Sequence, residues 1–69
     1  MSDEYKEDFK QEYNQLVTRQ NKLLEMLRKS DSGEIKLKCP RSTYDMQLKG
    51  MSDYAAALKV RAVMEGIDL

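Results

Sequence analysis

Apolar side chains recur at alternating steps of four and three along two long stretches of this chain, and its single proline, Pro40, stands between them. Phe9, Tyr13, Leu16, Leu23 and Leu27 share one seam in the first stretch, with Gln20 at the step where an apolar residue would be due. Tyr44, Leu48, Met51, Ala55, Leu58 and Ala62 form the second seam. Such a set collects on one stripe of an α-helix, whereas a strand would alternate every second residue. The pattern predicts an all-α fold, an antiparallel two-helix hairpin within one domain over 1–69. Its parts are a helix over about 4–29, a connector over 30–39 and a helix over about 40–65.

Local signals set the ends. Ser2 or Asp3 is suited to cap the first helix, and Asp3, Glu4, Glu7 and Asp8 complement its positive N-terminal end. Arg28 and Lys29 suit the opposite end, and Gly33 supplies a residue able to turn left-handed. Between Glu34 and Lys38 the pattern switches to alternation, with Ile35 and Leu37 on one side, so a short extended segment covering the open end of the hairpin is expected. Cys39-Pro40 opens the second helix with proline at its first helical position, while Ser42 and Asp45 offer a competing cap. Gly66 closes that helix, and Ile67 and Leu69 are expected to fold back on its last turns.

A chain of 69 residues is close to the size at which one core barely outweighs chain entropy. With one cysteine, no histidine and no disulfide possible within the chain, the remaining remedy is oligomerisation. The second helix points the same way. Beyond its seam it carries Tyr54, Ala57, Val60, Val63 and Met64 on adjoining faces, together with Gly50, where a second helix could cross closely. Val17 and Leu24 widen the apolar face of the first helix to bundle width. Gln20 is open to two readings: a stem packed along the seam, or a buried polar group that fixes register. A homo-oligomeric bundle is expected, assembled mainly through the second helix.

Twelve basic residues balance twelve acidic ones, which argues against extended nucleic acid or a membrane surface as partner. No stretch approaches the length of a membrane span and no apolar run reads as a secretory leader, so a cytoplasmic location is expected. The charge is nevertheless uneven. Residues 16–41 carry seven basic residues against three acids, residues 1–15 two against five, and residues 42–69 three against four. The positive segment ends in Lys36, Lys38 and Arg41 and runs into Ser42, Thr43 and Tyr44 at a helix start. Free backbone N–H groups there favour an anion, Arg41 offers forked hydrogen bonds to phosphate, and Tyr44 a surface on which a base could stack. The alternative is an ordinary solvated edge, with Ser42 as cap and Tyr44 packed in the seam. Tyr5, beside the Phe9–Tyr13 ladder but off the seam, is a second aromatic able to face a planar ligand. Without histidine, and with its carboxylates on a solvated face, the chain offers no acid–base pair or activated nucleophile, so no enzyme, metal or cofactor is expected.

The run Cys39-Pro40, Gln47-Leu48, Met51, then Tyr54, Leu58, Arg61-Ala62 and Glu65-Gly66-Ile67-Asp68-Leu69 resembles a family of very small phage-encoded proteins from tailed phages of Gram-positive hosts and from crAss-like phages. Leu16-Val17, Arg19 and Lys22-Leu23 in the first half are compatible with it. The two-helix pattern is also similar to the hairpin of phage sponge proteins that counter CBASS and Thoeris immunity, which oligomerise and sequester cyclic nucleotide messengers without cleaving them. The resemblance implies a counter-defence protein binding a small anionic cyclic nucleotide-type ligand at subunit junctions. Lys36, Lys38 and Arg41 would face its phosphates, Ser42 and Thr43 would add hydrogen bonds, and Tyr44 or Tyr5 would stack. The rival readings are a module that docks a helical face onto a host or phage protein, and a purely structural self-assembling hairpin.

Overall fold

The computed structural model describes residues 3–69; the cap offered by Ser2 lies outside the described residues. Helix α1 spans Asp3–Asp31 and helix α2 Arg41–Glu65, and no strand occurs among the described residues. Cross-helix hydrogen bonds fix the arrangement. Tyr5 meets Glu65, Gln20 meets Ser52 and Arg41 meets Asp31, pairs whose residue numbers add to 70, 72 and 72. A nearly constant sum is the signature of two antiparallel helices. The result is a rod of 47 × 17 × 15 Å.

The core lies along the predicted seams. Phe9, Leu16, Leu23 and Leu27 are buried from α1, and Ala55, Leu58 and Ala62 from α2. Phe9 and Leu16 join Ala55, Leu58, Ala62 and Ile67 in one cluster, with Tyr5, Tyr13 and Met51 packed partly against it. The small alanines of α2 oppose large side chains of α1, which lets the helices approach. Gln20 is half-buried and donates from Nε2 to Ser52 Oγ at 2.9 Å, so the gap in the seam is a polar tie between helices. Leu24, beside the seam, is 47 % exposed in the hairpin.

Each helix ends in a left-handed glycine. Gly33 has φ 82°, with Gly33 N–H bonded to Ser30 C=O and Glu34 N–H to Lys29 C=O, the paired bonds of a Schellman closure. Gly66 has φ 70°, and Ile67 N–H reaches back to Ala62 C=O at 2.8 Å, with the Ile67 side chain buried in the core as expected from the sequence. Leu69 does not share that burial and is 48 % exposed.

Three local expectations are corrected. Residues 34–38 form bends and irregular chain rather than a regular extended segment, because the Gly33 closure wraps Glu34 back onto α1. Ile35 is accordingly exposed, and only Leu37 is half-buried. Pro40 sits at the cap position with ψ 145°, one residue before the helix, instead of at its first turn. No side chain caps α2, since Asp45 is drawn to Arg41 and not to the helix start.

Candidate functional site

The two ends of the rod carry different chemistry. At the connector end, α2 begins with no acidic residue in its first turn, although the carboxylates of Asp31 and Asp45 both reach its first residue, Arg41. Ser42 and Thr43 are exposed there and Tyr44 is half-buried. Lys36 and Lys38 are exposed and form no ion pair among the described residues. Arg41 is held instead: its Nη1 donates to Asp31 at 2.6 Å and its Nε to Asp45 at 3.1 Å. Those hydrogen bonds, the one to Asp45 foremost, raise the guanidinium pKa further and leave Nη2 without a partner among the described residues. Arg41 therefore ties the end of α1 to the start of α2, whereas Lys36 and Lys38 are left uncommitted among the described residues.

Tyr5 lies at the other end. The 26 positions from Tyr5 to Asp31 on one continuous helix correspond to roughly 39 Å, so a single chain does not bring Tyr5 to the connector. Its hydroxyl donates to Glu65 Oε1 and receives a bond from Arg61 Nη2 at 3.3 Å, while Arg61 also donates from Nε to Glu65 Oε2. The Arg61 guanidinium lies 4.9 Å from the centroid of the Phe9 ring, and the Tyr5 and Phe9 rings are 6.4 Å apart. This clasp closes the open end of the hairpin. The carboxylate that accepts the Tyr5 proton raises the phenol pKa, and the same bond, followed by that from Arg61, lowers the pKa of Glu65.

Beside the clasp runs a third feature, an open groove of about 370 Å³ between α1 and the end of α2, lined by Tyr13, Lys59, Ala62, Val63, Ile67, Asp68 and Leu69. Val63 stands on its rim 83 % exposed.

A family model described as Sequestin matches residues 3–64, both helices in full but for one residue. The chain belongs to the Sequestin family. No curated protein and no solved structure matches it.

In this Sequestin family member, then, Lys36, Lys38, Ser42 and Thr43 are exposed, Arg41 is tied to Asp31 and Asp45, Tyr44 is half-buried, and Tyr5 is a clasp residue at the far end of the rod. Sequence reasoning missed the groove. Its signal was present in Glu65-Gly66-Ile67, which announces a tail folding back over the last turn, but the neighbour on α1, Tyr13, follows only from the register of the hairpin. The Tyr5–Glu65 tie belongs to the same register, its numbers adding to 70 against 72 for the other two pairs. Among the described residues no cluster of Cys, Asp and Glu could hold a metal ion, and no helix is long and apolar enough to cross a membrane.

Proposed function

We propose that this protein is a non-enzymatic phage counter-defence protein that self-assembles and sequesters a small anionic ligand of the cyclic nucleotide type where its subunits meet, acting in the cytoplasm of the infected cell. The observation that carries the reading is membership of a family whose name denotes sequestration, a function of binding rather than turnover. Two physical features support it. The exposed Lys36 and Lys38 stand at a helix start whose first turn holds no acid, a setting favourable to phosphate. The second is the apolar surface that the hairpin leaves exposed on α2, Val60, Val63 and Met64 above all. In this reading the two lysines neutralise phosphates, the Arg41 Nη2 edge, Ser42 and Thr43 add hydrogen bonds, and Tyr44 stacks on a base. Tyr5 contributes only if a second copy brings its open end to this corner.

Thermal denaturation against a panel of cyclic di- and trinucleotides and cyclic ADP-ribose products tests the reading. A ligand at 100 times its dissociation constant adds about 2.7 kcal/mol. The double variant Lys36→Glu, Lys38→Glu should lose that gain without loss of helix, since neither side chain supports the fold. Absence of any shift across the panel would favour the rival reading, for which the exposed apolar face of α2 speaks: a module docking on another protein.

A further inference from the structure

We infer that the face of α2 turned away from α1 is the seat of a second copy of this chain, the two α2 helices lying antiparallel about a two-fold axis midway between Asp53 and Ala57. The inference rests on the self-assembly proposed above and names the surface and the orientation that perform it. Thr43, Met46, Gly50, Asp53, Ala57, Val60 and Met64 follow one another at steps of three and four, and all seven are exposed. They form one heptad stripe, its centre about 145° around the helix from that of the buried Ala55, Leu58 and Ala62, at 100° per residue. Met46 is 71 % exposed near one end of the stripe and Met64 81 % exposed at the other, with Val60 54 % exposed between them. Glycine inside a helix is unfavourable relative to alanine. A Cβ at Gly50 would meet nothing within 4 Å, so the hairpin itself gives no reason for the gap there.

The order of sizes along the stripe says what covers it. Reversed and laid against itself, the stripe sets Met46 against the partner subunit's Met64, Gly50 against the partner's Val60 and Asp53 against the partner's Ala57. Gly50 and Ala57, its two smallest members, each face a larger residue, so the layers fill evenly from end to end. A parallel pair would stack Gly50 on Gly50 and Asp53 on Asp53, a void beside two like charges. The antiparallel pair avoids both. Asp53 is the one charged residue of the stripe, and Lys49 Nζ on the same helix already meets it at 2.9 Å. Tyr54, also exposed, stands on the edge of the stripe next to the axis and adds aromatic area. A foreign partner would give no reason for the stripe to complement its own reverse, whereas an isologous contact requires it.

Disulfide cross-linking of the full chain in a Cys39→Ser background tests the inference, with circular dichroism confirming helix content. A chain carrying both Met46→Cys and Met64→Cys should oxidise to a covalent dimer, because these positions meet across the axis. Either substitution alone should give none, since like positions then lie roughly 27 Å apart. Sedimentation velocity at micromolar concentration supplies a second reading without cysteines in the stripe. Gly50→Val and Val60→Gly should each raise the dissociation constant by about tenfold. The chain with both, in which every such layer again holds one small and one large residue, should recover the parent value. Alanine at position 50, the size already present at position 57, fits the layer. A double-cysteine chain that stays uncross-linked while the parent assembles overturns this face as the seat, and a dimer from either cysteine alone overturns the antiparallel order. A size exchange that stays as weak as the singles overturns the Gly50–Val60 layer, and a parent chain found only at 8.1 kDa overturns the inference altogether. The ligand-induced thermal shift is read separately on each variant, so sequestration stands or falls on its own result.

Discussion

Leu58 is the most deeply buried side chain of the described residues, 1 % exposed, and sits where α2 faces the Phe9–Leu16 stretch of α1. Replacing it by alanine removes three carbons, about 2.4 kcal/mol of transfer free energy at ~0.8 kcal/mol each. A cavity term adds to this, small here because a rod only two helices thick can partly collapse around the gap, so the total loss is about 3 kcal/mol. With an unfolding entropy of about 2.1 cal/mol/K per residue, a chain of this length should lose about 20 °C in Tm. The assay is thermal denaturation followed by circular dichroism, at equal protein concentration because assembly makes Tm concentration-dependent. Gln11→Ala, on the solvent face, is the control and should stay within about 0.5 kcal/mol of the parent. A Leu58→Ala chain that melts within 5 °C of the parent, or no lower than the control, would refute the packing described here.

The glycines should separate by backbone conformation: Gly66→Ala, at φ 70°, should cost about 1 kcal/mol. Gly50→Ala should stabilise by about 1 kcal/mol, because a Cβ there meets nothing within 4 Å; both are read in urea melts. Gln20→Leu should be neutral or stabilising by about 1 kcal/mol, since it completes the seam at the expense of one exposed hydrogen bond to Ser52; a loss of stability would show that the polar tie fixes register. Stability should also depend on pH at both extremes. The folded pKa values of Glu65 and Glu25 are lowered, by Tyr5 and Arg28 respectively, so their contribution is present above the ordinary glutamate range and is lost as pH falls through the folded values. The Tyr5 pKa is raised above the ordinary 10.0, so its contribution is present below that value and is lost as pH rises through the folded one. Tyr5→Phe should flatten the alkaline limb of the pH–stability curve, and an unchanged limb would remove the clasp from the account.

The helices were legible because their seams depend on periodicity alone. Phe9, Leu16, Leu23, Leu27, Ala55, Leu58 and Ala62 are buried where the four–three spacing puts them, and Gly33 and Gly66 stop the helices by a property no other residue shares as readily. The failures come from competition between side chains, which spacing does not encode. Asp45 reads as half of a capping box, but Arg41, four residues earlier on the same helix, takes it in an ion pair. Arg41 reads as a free phosphate fork, yet the turn that brings Asp31 beside it commits two of its nitrogens. Leu24 reads as part of a bundle-wide face, and because two antiparallel helices share one narrow line of contact it is 47 % exposed in the single hairpin. For the candidate site, charge counting singled out Lys36, Lys38 and Arg41, whereas the separation of Tyr5 from the connector followed only once the register was known.

The account depends on a hairpin that leaves apolar surface for its own copies, most of all around Val63 and Met64. The most direct test is the mass of the intact chain in solution, by light scattering coupled to gel filtration across the micromolar range. The account predicts a defined multiple of 8.1 kDa; a folded species of 8.1 kDa at every concentration would contradict it.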